Sequence, residues 1–119
     1  MSEHLSISRL DDLVETLRAA GLRADMALED LSLPGVWIRP RTVAADVISC
    51  GRSIAVDLVC IHGDTDARRA YAGLFDLFNA VVDTVDTNAG DARFVTVTPT
   101  DNPTPMPGLS IPYELDTVE

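Results

Sequence analysis

His62-Gly63-Asp64-Thr65-Asp66 puts an imidazole and two carboxylates within five residues, the side-chain types that hold divalent metals or act as a general base. Their position gives them a simpler task. A β-rich run ends here and a helical period begins, so Asp64 or Thr65 is expected to cap free N–H groups while Asp66 complements the helix dipole. A metal centre would need a further ligand, and the only other histidine, His4, lies near the N-terminus.

Asp46 and Asp57 form a second candidate, which depends on a hairpin. Two β-rich runs, 42–50 and 53–62, flank Gly51-Arg52, a Gly-X pair suited to a type II′ turn. A two-residue loop places Ser49 opposite Ile54, Val47 opposite Val56, Ala45 opposite Leu58 and Val43 opposite Cys60 on one apolar side. The other side then sets Asp46 directly against Asp57, with Cβ atoms about 5 Å apart, where like charges destabilise the pair. Such a couple suits a solvated face, a functional negative surface, or acid–base or magnesium chemistry, but no histidine or phosphate-binding loop stands beside it in sequence.

The remaining reactive types read as structural. Cys50 and Cys60 fall too far apart on the expected hairpin to bridge, suit a reducing compartment, and act as small apolar fillers. Trp37, the single tryptophan, is expected in the core, with an interface anchor as the alternative. The chain contains no nucleophile elbow, Cys-x-x-Cys pair or basic aromatic groove. No catalytic residue, metal ligand or cofactor is therefore expected, and the chain is read as a non-enzyme.

The elements that would position these groups follow from periodicity. Leu10, Leu13, Val14, Leu17 and Ala20 recur at helical spacing over 8–20, with Ser8 as N-cap and Gly21 as the left-handed terminator. Residues 22–34 fit neither period and read as an irregular connection. Val36-Trp37-Ile38 reads as a short strand ended by Pro40. A second helix over 65–85 carries a broad apolar stripe, including Ala70, Tyr71, Leu74, Phe75, Phe78, Val81 and Val82, about 30 Å long. Its far side, with Arg69, Ala72, Asp76, Ala80 and Asp83, is expected to face solvent or a neighbouring subunit. Residues 93–98 alternate as a strand, and 109–115 form another, with an edge position indicated by Pro112. Between them Pro99, Pro103, Pro105 and Pro107 bias the chain to an extended loop. The expected fold is a single α+β domain over residues 1–119, in the order α-β-β-β-α-β-β, with a mostly antiparallel sheet and two helices on one face.

Composition sets limits on partners. The 119 residues carry 19 acidic against 9 basic side chains, a formal charge of -10, which repels phosphate backbones and anionic lipid. The same charge opposes self-association unless an interface is specific and apolar. No basic segment followed by an apolar run, and no stretch of about 18 apolar residues, is present, so neither a secretion signal nor a membrane span is expected.

The layout resembles the tail terminator proteins of long-tailed, siphovirus-like bacteriophages. The resemblance covers most of the chain. It rests on the leading helix ending in Gly21, the segment Leu33-Pro34-Gly35-Val36-Trp37-Ile38-Arg39-Pro40, the hairpin through Gly51 and the long helix after Gly63-Asp64. The closing Arg93-Phe94-Val95-Thr96-Val97, the proline-rich loop and Gly108-Leu109-Ser110-Ile111-Pro112-Tyr113-Glu114-Leu115 complete it. The resemblance implies a structural virion protein at the head-proximal end of the tail, assembled in the host cytoplasm. There a hexameric ring would cap the tail tube, end elongation and offer a docking surface to the head connector. DNA would pass through the ring without specific binding. Under that reading Asp46 and Asp57 are expected on an acidic lumen-facing surface, and Pro99, Pro103, Pro105, Met106 and Pro107 in a loop that contacts a neighbouring subunit or the tube. The nearest alternative is a head-tail joining (neck) protein of the same virion. From other classes stand a monomeric acidic cytosolic adaptor and a carboxylate-dependent hydrolase.

Overall fold

A computed structural model describes residues 7–45, 52–63, 66–85, 91–98 and 105–116 of the chain. The first helix, α1 (Ile7–Ala19), turns Leu10, Leu13, Val14 and Leu17 inward. It starts just before Ser8, which therefore lies in its first turn instead of capping it. Its end is set locally: Gly21 adopts φ 89°, its N–H donates to Arg18 O at 3.0 Å, and Leu22 N–H donates to Leu17 O at 3.1 Å. That pair of bonds is a Schellman closure, which needs a left-handed residue where only glycine is unstrained.

The connection after α1 is more ordered than its sequence indicates. It holds a two-residue strand, β1 (Ala24–Asp25), and one 3₁₀ turn at Leu28–Asp30. The Leu33-Pro34 peptide is cis. At Gly35 the chain packs so closely that an added Cβ would meet Ser32 O at 2.6 Å and Leu31 Cδ1 at 2.8 Å, so no larger residue fits without movement.

Strand β2 (Gly35–Ala45) runs through Pro40 instead of stopping there, and pairs antiparallel with β3 (Arg52–Ile61). Two features admit the proline. β1 pairs only with Val36 and Trp37, so beyond them β2 is the sheet edge, where a missing N–H breaks no ladder bond. A register shift follows immediately, with Pro40 opposite Val56 and Thr42 opposite Ala55, leaving Arg41 as the extra residue of a bulge.

Helix α2 (Ala67–Thr84) is capped by Asp66 itself, whose carboxylate accepts from the N–H groups of Arg68 (2.9 Å) and Arg69 (3.3 Å). Asp64 and Thr65, the residues expected to cap, lie outside the described residues. Strands β4 (Arg93–Val97) and β5 (Met106–Asp116) complete a five-stranded sheet in the order β1-β2-β3-β5-β4, antiparallel except for β1 with β2. β5 begins earlier than the sequence indicates, taking in Met106 and Pro107, which pair with Val97 and Thr96.

The fold is α+β in the expected α-β-β-β-α-β-β order, although the strands filling that order are not those expected. Val36-Trp37-Ile38 and the following run are one strand, and β1 comes from the connection read as irregular. Both helices pack on one face of the sheet, where Leu13, Leu17, Leu74 and Val81 meet Val36, Ile38, Val56, Leu58, Leu109 and Ile111. On the opposite face a smaller cluster gathers Val59, Ile61, Val97 and Met106 beneath Leu28, Leu31, Leu33 and Trp37. The connection after α1 thus covers one end of that face, and no other described residue covers the rest. Among the described residues no helix is long and apolar enough to cross a membrane.

Candidate functional site: the open sheet face and the β4 edge

The β2/β3 register decides what Asp57 meets. It pairs Arg39, not Asp46, with Asp57, and Ala45 with Arg52, so the expected two-residue turn at Gly51-Arg52 is replaced by a longer connection. The cross-strand carboxylate couple is thereby overturned, and Asp46 lies outside the described residues. The physical reason is burial. This register sets Ile38 opposite Leu58 and Val36 opposite Cys60, all fully buried beneath the helices, whereas the expected one spends those strand positions on 43–49.

Asp57 is consequently no bare acidic surface. Its carboxylate accepts a hydrogen bond from Arg39 Nη2 at 3.1 Å and lies 3.6 Å from Arg41 Nε. The bulge at Arg41 brings this second guanidinium to the same carboxylate. Only 11% of the Asp57 side chain is exposed, against about half of each arginine, so the ion pairs hold an inward carboxylate under a positive outer surface. Arg39 also sits over the Trp37 ring, 5.6 Å from its centroid. Trp37 is half-buried, and its indole N–H donates to Met26 O at 3.1 Å, which fixes the ring against the covering connection.

Across the sheet Arg93 and Asp91 line the same shallow groove with Arg39, Arg41, Asp57 and Pro112. Three guanidinium groups against two carboxylates make this groove locally positive on a chain of charge -10. The sequence contains no lysine, so apart from two histidines every basic side chain is a planar fork able to bind a carboxylate in two places. Sequence reading missed this cluster. Arg39 and Arg41 flank Pro40 visibly, but their shared partner is set by register, and Arg93 arrives through the β3-β5-β4 pairing.

A different surface forms on the helix side of the same strand, β4. Tyr71 and Phe75 of α2 meet Phe94 of β4 edge to face, with centroids 5.6 and 6.2 Å apart. The helix stripe read as continuous core is therefore split: Ala70, Leu74 and Val81 are buried, whereas Tyr71, Phe75 and Phe94 keep 42%, 50% and 58% of their surface exposed. β4 ends the sheet, so its outer backbone groups meet no strand among the described residues. Pro105, Met106 and Pro107, members of the expected contact loop, border this surface alongside Tyr71 and Phe94. Met106 itself is buried against the sheet, and Pro99 and Pro103 lie outside the described residues.

His62 packs its imidazole against Gly73 of α2, where any Cβ would overlap the ring, and its Nδ1 has no hydrogen-bond partner among the described residues. No group of three or more His, Cys, Asp or Glu side chains able to hold a metal occurs among the described residues. Cys60 is fully buried, and burial pushes its thiol up to about 12. Cys50 lies outside the described residues. Comparison of the chain with protein-family models, with curated proteins and with solved structures finds no match to any of them.

Proposed function

We propose that this chain is a structural tail protein of a long-tailed bacteriophage, which seats as a ring on the finished tail tube, ends its elongation and offers a surface to the head connector. The observation that carries the reading is the aromatic cluster of Tyr71, Phe75 and Phe94 beside the unpaired edge of β4. Exposed aromatic side chains grouped at an open sheet edge are the material of protein interfaces, since large rings desolvate much area at little entropic cost. They supply the specific apolar contact that a chain of charge -10 needs in order to associate with its own kind. Pro105, which borders this surface just before β5, fits a stiff loop that loses little freedom on docking to a neighbour or the tube.

The lumen-facing role is kept for Asp46 alone, because Asp57 is turned inward and paired with two arginines. The remaining acidic side chains would keep the passing genome from adhering. Electron microscopy of particles assembled without this protein tests the reading. Abnormally long, headless tails are the expected result. Tails of normal length that fail only to join heads would transfer the chain to the neck, and normal infectious particles would refute both.

A further inference from the structure

Two faces on opposite sides of the domain have complementary character. The open sheet face presents the arginine-rich groove of Arg39, Arg41 and Arg93, with the Trp37 ring beside it. On the helix side, the outward face of α2 presents exposed Tyr71, Phe75 and Val82 next to exposed Asp76 and Asp83. From Tyr71 to Thr84 this helix contains no basic residue, and exposed Ala72 lets another surface approach closely. Asp76 and Asp83 are two helical turns apart, about 10 Å along the axis, a span that a groove crossing from β2 to β4 can meet.

We infer that the outward face of α2 in one copy docks on the arginine-lined sheet face of the next, with Asp76 and Asp83 received by Arg93 and the Arg39–Arg41 pair. The inference deepens the ring reading above and rests on it. Charge complementarity identifies the occupant: the groove requires carboxylates, and the chain's own second helix carries them beside an apolar stripe. Among the described residues Asp57 engages both Arg39 and Arg41, and with Asp91 and Arg93 counted the groove holds three guanidinium groups against two carboxylates, which leaves positive charge for an incoming acid. Because the two faces are different and lie on opposite sides of the domain, the contact is heterologous. Repetition of such a contact produces a closed ring or a filament instead of a twofold dimer.

The test uses two full-length variants. One carries Asp76→Arg with Asp83→Arg, and the other carries Arg93→Glu. All three sites are exposed, and circular dichroism of each variant verifies folding. Sedimentation velocity across protein concentration, at low and high salt, reads the assembly. Wild-type protein is expected to assemble and to weaken with salt. Each variant alone should lose about tenfold or more in association, and an equimolar mixture should recover pairwise association, because the unaltered helix face of the Arg93→Glu variant then meets the unaltered groove of the other. Unchanged assembly of both variants would overturn the inference while leaving the ring reading in place. Variants that weaken assembly without recovery on mixing would overturn it too. Wild-type protein that stays monomeric in solution and on added tail-tube ends would remove the ring reading and the inference together.

Discussion

Arg39 and Asp57 face each other across β2 and β3 with Nη2 and Oδ2 3.1 Å apart, the arginine half exposed and the carboxylate almost wholly enclosed. The asymmetry means that the two partners carry unequal risk. An arginine freed of Asp57 can swing into water, whereas Asp57 freed of its arginines stays a charge without compensation. Replacing both Arg39 and Arg41 by Met is therefore expected to cost about 3 kcal/mol in urea unfolding. Replacing Asp57 by Asn should cost about 1 kcal/mol. Equal costs would show that the carboxylate reaches water without them.

The pairing of Gly73 with His62 gives a second prediction. Alanine in mid-helix normally gains about 1 kcal/mol over glycine. Here any Cβ at 73 displaces the imidazole, so Gly73→Ala should give no gain in the native background. With His62→Ala already in place, the same change should give about 1 kcal/mol. Thermal unfolding of the four proteins in this cycle checks the coupling, and additive effects would show that the ring moves aside freely.

Cys60 should behave as a silent thiol. In a Cys50→Ala background it should resist a thiol reagent in the native state and react at once in denaturant. Its folded value, raised from 9.0 to about 12, also has a defined sign for stability. The folded state holds the proton more tightly, so this contribution is complete below pH 9 and is lost as pH rises from there toward 12, by up to about 4 kcal/mol. A Cys60→Ala variant should lose less stability than its parent over that window. Parallel curves would contradict the burial argument.

Tyr71 and Phe94 separate assembly from folding. Phe94 is 58% exposed and the rings it meets, Tyr71 and Phe75, are exposed as well, so Phe94→Ser should change unfolding stability by less than about 1 kcal/mol. Pairing it with Tyr71→Ser should abolish ring formation or tail capping, as scored by sedimentation and by tail-length measurement. A large loss of stability without loss of assembly would place these rings in the core instead.

The parts legible in sequence are those governed by near neighbours. Gly21 ends α1 because the closure it makes spans only Leu17 to Leu22, whereas the cap of α2 falls on Asp66 and not on Asp64 or Thr65, the residues expected to cap. The apolar period of α1 likewise fixes its inward face. Asp57 shows the limit. A Gly-X pair such as Gly51-Arg52 favours a tight turn and Pro40 favours a strand end, whereas a bulge at Arg41 carries β2 past the proline and gives Asp57 a different partner.

The sequence by itself determined two amphipathic helices, a mostly antiparallel sheet and a charge of -10 that demands specific contacts for any assembly. Only the tertiary structure decided that Asp57 sits beneath Arg39 and Arg41, that Arg93 joins them, and that Tyr71 and Phe75 stay outside the core with Phe94. Local periodicity says which residues seek burial. Register, settled by the joint burial of Val36, Ile38, Leu58 and Cys60 beneath both helices, decides which charges and rings are left together on the surface.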